Sequence, residues 1–282
     1  RSKNFGMIGA AFGLGFIIGP VIGGLLGQFG SRVPFYAAAV LCLVNFAYGY
    51  FILPESLGKE HRRPFEWKRA NPVGSLLKVR THPEILKLFI AWFLVYLASH
   101  AVQTNWAYFT MYKFAWDEKT VGISLGVMGA FTAFVQGFLI RKVHPKLGSE
   151  RSILYGIMFY CTGMLLFAFA QKEWMMYAIL AIYCLGGIAG PALQSVISSK
   201  VSPKEQGDLQ GALTSVISIT SIIGPLLMTQ IFYFFTHPDA KIKLLTLELK
   251  PPFQFSGAPF FLGFALMAVS AYFVYYVFHR KK

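Results

Sequence analysis

The sequence has few charged residues for its length. Asp, Glu, Lys and Arg make up 13% of the 282 residues, whereas hydrophobic residues make up 55% and aromatic residues 17%. Soluble domains carry about twice that share of charge. The apolar runs have the length of membrane-spanning helices rather than of barrel strands. This composition excludes an ordinary soluble protein and predicts an all-α integral membrane protein.

Cysteine and clusters of metal-ligating side chains are also scarce. Cys42, Cys161 and Cys184 lie singly in apolar runs without paired spacing, so we interpret them as buried thiols rather than disulfides or metal ligands. No group of His, Cys and acidic residues gathers at one membrane face, as a membrane enzyme would require. The sequence therefore predicts no catalytic residue, no metal site and no cofactor.

Acidic residues are fewer than basic ones, 12 against 26, which gives a net charge of +14. Excess basic charge can indicate a nucleic-acid partner. In a membrane protein, however, Lys and Arg in the connections set the orientation, so we expect no nucleic acid. Every acidic residue falls in a connection or at the end of a predicted helix. No carboxylate of this chain is therefore predicted at membrane depth.

Eight spanning helices are predicted from the apolar runs. They cover residues 5–29, 34–53, 85–112, 120–140, 152–170, 174–196, 209–235 and 258–278. The stretch 54–84, between the second and third helices, is polar and basic and contains four prolines. It divides the chain into two helices of an N-terminal bundle (1–53), a cytoplasmic linker (54–84) and a C-terminal bundle of six helices (85–282).

The orientation follows from the distribution of Lys and Arg. The two termini, the linker and the connections 141–151 and 200–206 hold 19 of these residues when Lys87 is included, and the other side holds 7. Basic connections remain in the cytoplasm. We therefore expect a multi-pass protein of the cell (inner) membrane with both ends of the chain, including the C-terminus, in the cytoplasm.

A regular row of glycines marks the first apolar run. Gly15, Gly19, Gly23 and Gly27 are spaced by four, so they share one helix face and form a groove about 18 Å long. Pro20 removes a helical hydrogen bond beside this groove and bends the helix. A smooth, bent helix suits a joint between two helical bundles, and a plain packing face is the alternative. A dinucleotide-binding loop is disfavoured because no strand precedes the glycines.

The chain also repeats itself. Residues 17–20 read Ile-Ile-Gly-Pro and so do residues 222–225, an offset of 205 that also pairs Gly6 with Gly211. The helices that follow both open with Pro-Phe, at 34–35 and at 259–260. Such a parallel repeat predicts two bundles of six helices, with the first four helices absent from this chain. We therefore expect a segment of a protein of about 400 residues.

These motifs resemble those of the major facilitator transporters. Gly15, Gly19, Pro20, Gly23 and Gly24 resemble the motif on the fifth helix of the drug:proton antiporters of that family. Residues 53–56 resemble the end of the sixth helix of these antiporters. Residues 190–194 and 206–213 resemble the tenth and eleventh helices of the tetracycline-resistance branch. The resemblance covers the whole chain as helices five to twelve. It implies the 6+6 major facilitator fold and proton-coupled export.

Two positions depart from the pattern of that branch. In tetracycline pumps, a histidine on the eighth helix and an aspartate on the ninth assist proton coupling. The corresponding positions here hold Met128 and Tyr160. The resemblance therefore implies the branch, and not tetracycline itself as the substrate.

Polar side chains within the predicted spans are the candidates for a site. His100 is the titratable group at membrane depth, with an ordinary pKa near 6.5 that suits proton exchange. Because polar groups in hydrocarbon must face protein or water, we predict that His100, Gln103, Gln136 and Gln194 line a substrate cavity. The alternative for each is a hydrogen bond between helices. A coupling carboxylate, if present, is expected in the absent helices.

The sequence thus predicts a secondary transporter that exports small amphipathic compounds, such as drugs, against protons. Its expected partners are a small-molecule substrate, protons and the lipid bilayer, and a monomer is expected. An uptake carrier for a sugar or metabolite is the alternative, which the glycine motif disfavours. A membrane protein without transport activity is a further alternative.

The charge distribution makes a testable prediction about topology. In a background without native cysteines, Ser256→Cys should react with an impermeant thiol reagent applied from outside the cell, whereas Ser56→Cys should not. The reason is that the linker carries most of the basic charge and stays in the cytoplasm. Labelling of Ser56→Cys without labelling of Ser256→Cys would reverse the predicted orientation.

Overall fold

The computed structural model describes residues 32–54, 83–202, 205–237, 242–244 and 247–279, together with scattered positions between 11 and 30. Helices dominate these ranges. They are α1 (Val33–Phe51), α2 (Pro83–Phe114), α3 (Glu118–Phe134), α4 (Ile140–Phe169), α5 (Glu173–Leu185), α6 (Ala189–Ser199), α7 (Gln206–Thr236) and α8 (Ala258–His279). Two short strands, β1 (Ile242–Leu244) and β2 (Leu247–Leu249), pair antiparallel before α8, which the sequence did not predict.

Two irregular turns join helices that the sequence predicted as single spans. Val135–Leu139 forms a π-helical turn between α3 and α4, and Gly186–Ile188 forms a 3-10 turn between α5 and α6. Such turns inside long helices often occur at functional sites. The predicted spans 120–140 and 174–196 are therefore present, but each contains a change of helical pitch.

Within the described residues, six helical runs are long and apolar enough to span a membrane. One of them, Lys119–Phe169, contains two of the predicted spans, 120–140 and 152–170. Gly148, with φ 74° and ψ 174°, interrupts this run in a conformation that favours glycine. The predicted span 5–29 lies mostly outside the described residues, as does the linker 54–84. The predicted fold class, an all-helical membrane protein, is confirmed.

The side chains of α1 remain mostly exposed among the described residues. None of its residues is buried, and Phe35, Leu43 and Phe46 are each more than two-thirds exposed. Cys42 lies on this helix and is exposed, whereas Cys161 is half-buried and Cys184 is buried; all three thiols are free. The interpretation of three buried thiols is therefore wrong for Cys42, because no described element covers α1.

The buried apolar residues of helices α2 to α8 and of the two irregular turns form three clusters. The first half of α2, from Ile85 to Val95, packs with Leu209–Val216 of α7 and with Met267–Val277 of α8. The second half of α2, from Ala101 to Phe109, packs with Met228 of α7 and with Phe260 of α8. α7 therefore runs parallel to α2, and α8 runs antiparallel to it.

Hydrogen bonds between helices are few but specific. The Trp106 indole donates to Ser124 Oγ at 2.8 Å, which joins α2 to α3. Ser270 Oγ donates to the Ala91 carbonyl at 3.0 Å, which joins α8 to α2. At the start of α3, Asp117 accepts from the Thr120 amide at 2.8 Å, and hydrogen bonds from Thr120 lower the pKa of that carboxyl. These bonds satisfy polar groups that the bilayer would leave without partners.

Close packing also joins α4 to the helix formed by α5, the 3-10 turn and α6. A Cβ on Gly163 would lie 2.7 Å from Tyr183 Cβ, and one on Gly156 would lie 2.8 Å from Ala189 Cβ. Between these two contacts, the glycine belongs to the other helix: a Cβ on Gly186 would lie 2.5 Å from Cγ of Tyr160 on α4. Glycines on each helix therefore receive side chains of the other.

The 3-10 turn sets the register of this contact. Tyr183, Gly186 and Ala189 are spaced by three across this turn, and their contacts with α4 place all three on one side of the helix. They meet Gly163, Tyr160 and Gly156 of α4 in order. The rings of Tyr160 and Tyr183 lie 4.8 Å apart between these contacts. The two tyrosines and three glycines hold the two helices at backbone distance.

We predict that Gly186→Ala lowers the thermal stability of the protein, because its methyl group would overlap the Tyr160 ring. That ring also packs against Tyr183. Overpacking of this kind costs about 1–3 kcal/mol. Gly190→Ala, one turn further along, is the control, because a Cβ there meets no atom within 4 Å. Thermal unfolding in detergent measures both variants. Equal melting temperatures for the two would contradict the described contact.

Candidate functional site

The glycine row of the first apolar run is open where it can be described. Gly15, Gly19 and Gly23 are helical, and a Cβ on any of them would meet no atom within 4 Å. Pro20, Gly24 and Gly27 lie outside the described residues. The spacing of the three glycines places them on one face, as predicted. No contact in the described part of the chain occupies this face.

His100 and Gln103 lie on consecutive turns of α2 but in different surroundings. His100 is buried, with 8% of its surface exposed, and its ring makes no hydrogen bond within the described residues. Gln103 is exposed, and its amide donates to Ser99 Oγ at 3.0 Å on the same helix. Ser99 in turn donates to the Tyr96 carbonyl at 2.7 Å. The polar edge of α2 is thus held in place by bonds within the helix.

The His100 ring lies on the backbone of α7 at Gly224. A Cβ on Gly224 would lie 2.5 Å from His100 Cγ and 2.9 Å from His100 Cβ. Twelve residues further along both helices, the Tyr112 hydroxyl donates to the Thr236 carbonyl at 3.3 Å. The two contacts have the same sequence separation, which shows that α2 and α7 run parallel and in register.

Gln136 occupies the π-helical turn between α3 and α4. Its amide nitrogen lies 3.3 Å from the position of a Cβ on Gly187, so the side chain covers the backbone of the 3-10 turn. Val135 of the π turn and Ile188 of the 3-10 turn are buried together beside this contact. The two irregular turns of the bundle therefore pack against each other, with Gln136 half-buried between them.

Met128 and Tyr160, which stand at the two departures from the family pattern, both contact the α5 helix or its continuation. The Cys184 thiol donates to the Met128 carbonyl at 3.7 Å and accepts from the Thr132 hydroxyl at 3.8 Å. Tyr160 packs on Gly186 and Tyr183 as described above. In this chain, these two positions hold packing contacts and no charged side chain.

Gln194 bridges two helices. Its amide donates to Gln210 Oε1 at 3.1 Å, which joins α6 to α7. One turn towards the end of α6, Ser198 donates to Gln206 Oε1 at 2.8 Å, and the Gln206 amide donates back to the Ser198 carbonyl at 2.7 Å. These amides form a ladder between α6 and α7.

The four predicted cavity residues thus lie in three places: His100 and Gln103 on α2, Gln136 at the π turn, and Gln194 between α6 and α7. Their role in a cavity stays a prediction. Sequence reasoning missed Gly224 as the residue beneath His100, although the repeated Gly-Pro pair could have drawn attention to it. It also missed the fit of Tyr160 to Gly186, which no spacing within either helix indicates.

α7 carries a row of exposed hydroxyl groups beside the His100 contact. Thr214, Ser218 and Ser221 are exposed and fall on one face of the helix. The Ser218 and Ser221 hydroxyls donate to carbonyls of their own helix at 3.0 Å. Among the described residues, no group of three His, Cys, Asp or Glu side chains could hold a metal ion. The exposed face of α7 formed by Thr214, Ser218 and Ser221 is uncharged.

Comparison with known proteins agrees with this arrangement. The human organic anion transporter MFSD10 (TETRAN), known from a crystal structure, superposes with a TM-score of 0.80 at 20% sequence identity. The superposition covers 97% of this chain and 63% of that protein. At this level of identity, the likeness shows a shared fold and nothing more.

Sequence relatives extend the comparison. The class C tetracycline resistance protein of Escherichia coli is 37% identical over 232 residues, and the class H protein of Pasteurella multocida is 31% identical over 288 residues. The matches cover 82% and 100% of this chain, and the chain spans 58% and 66% of the two relatives. The sequence profile of the Major Facilitator Superfamily matches residues 1–225. The chain therefore belongs to the Major Facilitator Superfamily.

Proposed function

We propose that the protein is a secondary transporter that exports small amphipathic compounds, such as drugs, from the cell in exchange for protons. The observation that carries this proposal is the 31–37% identity to tetracycline resistance proteins over 82% or more of the chain. The departures at Met128 and Tyr160 leave the compound itself open within this class. On this proposal the chain is a carrier and performs no covalent chemistry on its substrate.

The pairing of α2 and α7 supports a polar path beside the core. Gln103 lies three residues after His100, and Ser221 lies three residues before Gly224, so each is rotated by about 60° from the contact, in opposite senses. In two parallel helices that face each other, opposite rotations point to the same side of the pair. Gln103 and the hydroxyls of Thr214, Ser218 and Ser221 therefore line one surface, which we assign to the substrate path.

His100 is the group that we assign to proton exchange. It lies at the edge of this surface, on the helix that also carries Gln103, and it is the histidine of the membrane-spanning part of α2. A histidine changes charge near neutral pH, whereas the amides and hydroxyls around it do not. A proton bound to His100 adds a positive charge and so changes the free energy of holding the side chain in a low-dielectric environment.

The glycine row, Gly15 to Gly27 with Pro20, is proposed as the face on which the two bundles move against each other. Its open glycines leave room for a helix at backbone distance. We further propose that residues 54–84 form a cytoplasmic linker between the bundles 1–53 and 85–282. On this proposal, the protein acts as a monomer in the inner membrane with its C-terminus in the cytoplasm.

We predict that cells expressing the gene accumulate less of a lipophilic cationic or tetracycline-like dye than cells without it, and that a protonophore abolishes the difference. His100→Ala should weaken this export and change its dependence on pH, because it removes the titratable group. His237→Ala is the matched control, since that histidine is exposed at the end of α7. An unchanged pH profile in His100→Ala would show that His100 is structural. Accumulation above the control cells would indicate an uptake carrier instead.

A further inference from the structure

The two glycines that the repeat identifies on α7 differ in their surroundings. Gly211 corresponds to Gly6, and a Cβ there would meet no atom within 4 Å. Gly224 corresponds to Gly19, and a Cβ there would overlap the His100 ring. The repeat therefore preserves two glycines on α7, but only Gly224 lies beneath the side chain of another helix.

Only glycine is compatible with this position of His100. Two atoms near the base of the side chain, Cγ and Cβ, lie within 2.9 Å of the position that a methyl group on residue 224 would take. Cβ cannot move aside because it is fixed to the α2 backbone, and Cγ can do so only by a change of the χ1 rotamer, which would carry the whole ring away from its place on α7. A larger residue at 224 would have to move the ring or separate α2 from α7.

The backbone next to this contact is also unusual. Pro225 has no amide hydrogen, so the Ser221 carbonyl loses its helical donor in the turn that carries Gly224. The Thr229 hydroxyl donates to the Pro225 carbonyl in the following turn. His100 therefore rests on α7 where the helix is interrupted and can bend. A movement of the His100 ring at this point would act directly on the α7 backbone.

We propose that Gly224 is a positioning residue for His100: the bare backbone at 224 seats the imidazole at the bend of α7, so that a change in the charge of the ring changes the packing of α2 on α7. This inference rests on the proposed role of His100 in proton exchange. A buried imidazole that gains a proton needs water or a hydrogen-bond acceptor as a partner. Gly224, which lies beneath the ring, has no side chain that could supply one. The protonated ring therefore favours a different separation of the two helices.

Along the described parts of α2 and α7, charged side chains lie far from the contact of His100 with Gly224. On α2 the nearest charged residues are Lys87 and Lys113, each thirteen residues from His100, or about 20 Å along the helix. On α7, Asp208 is sixteen residues before Gly224, or about 24 Å. Tyr96, one turn before His100, is a titratable neighbour on α2. On α8, which packs at the level of Ala101, the titratable side chains are Tyr272, Tyr275, Tyr276 and His279, all near its far end.

The first test examines the contact between His100 and Gly224 by thermal unfolding of the purified protein. Gly224→Ala should lower the melting temperature by about 2–4 °C or more, whereas the control Gly211→Ala should not. In a His100→Ala background, Gly224→Ala should lower the melting temperature less, because the overlapping ring atoms are gone and only the Cβ contact at 2.9 Å remains. Equal stability of Gly224→Ala and Gly211→Ala, or an undiminished effect of Gly224→Ala without His100, would overturn the proposed seat.

The second test separates positioning from simple packing. Export of the dye should show a shifted pH midpoint in Gly224→Ala and the wild-type midpoint in Gly211→Ala. A destabilised Gly224→Ala with the wild-type midpoint would overturn the positioning role and leave a packing contact only. Absence of dye export by the wild-type gene would overturn the proposed function and the positioning role together, while the unfolding measurements would still decide whether His100 is seated on Gly224.

Discussion

Close approach of helices at bare glycine backbone is the constraint on which the bundle depends. In a bilayer, apolar side chains gain little by leaving lipid for another helix, so helices associate through tight packing and a few hydrogen bonds. Glycines at 156, 163, 186 and 224 each receive a side chain or backbone of a neighbouring helix, and Gly257 packs on the Ala168 carbonyl. Because each contact is at backbone distance, a single methyl group at any of them displaces a helix.

This manner of packing places the polar groups of the bundle. Where glycine receives an aromatic ring, as at Gly186 beneath Tyr160, the two helices are locked. Where glycine receives an ionisable ring, as at Gly224 beneath His100, the same geometry is the basis of the proposed coupling between protonation and helix position. The open glycines of the first apolar run differ from both kinds, since no described side chain fills their face. The described part of the bundle thus combines tightly packed glycines with glycines whose face is open.

Much of the fold could be predicted from the sequence. Apolar runs of spanning length predicted the helices because the bilayer demands about 20 apolar residues per span. The π turn at Val135–Leu139 and the 3-10 turn at Gly186–Ile188 were not predicted, since a local change of pitch leaves the apolar pattern of a span intact. The exposure of Cys42 was also missed, because hydropathy cannot tell a helix covered by protein from one that lies open.

The candidate site was predictable in its residue types and not in its contacts. The scarcity of polar groups within the spans singled out His100, Gln103, Gln136 and Gln194. Their partners depend on which helices are neighbours: Gln194 meets Gln210 only because α6 packs on α7, and His100 meets Gly224 only because α2 and α7 lie in register. The residue pattern of one sequence does not show which helices are neighbours. The repeat came closest, since it marked Gly224-Pro225 as a pair worth attention.

The central claim is that the polar surface of α2 and α7 faces a watery path and not lipid. Ser221 and Ile223 test it most directly, because they lie at nearly the same depth on opposite faces of α7 and both are exposed. Each is replaced by cysteine in a background without native cysteines, and its reaction with a water-soluble thiol reagent is followed in membranes. The account predicts rapid reaction of Ser221→Cys, slowed by transported dye, and little reaction of Ile223→Cys. Equal rates, or faster reaction of Ile223→Cys, would contradict it.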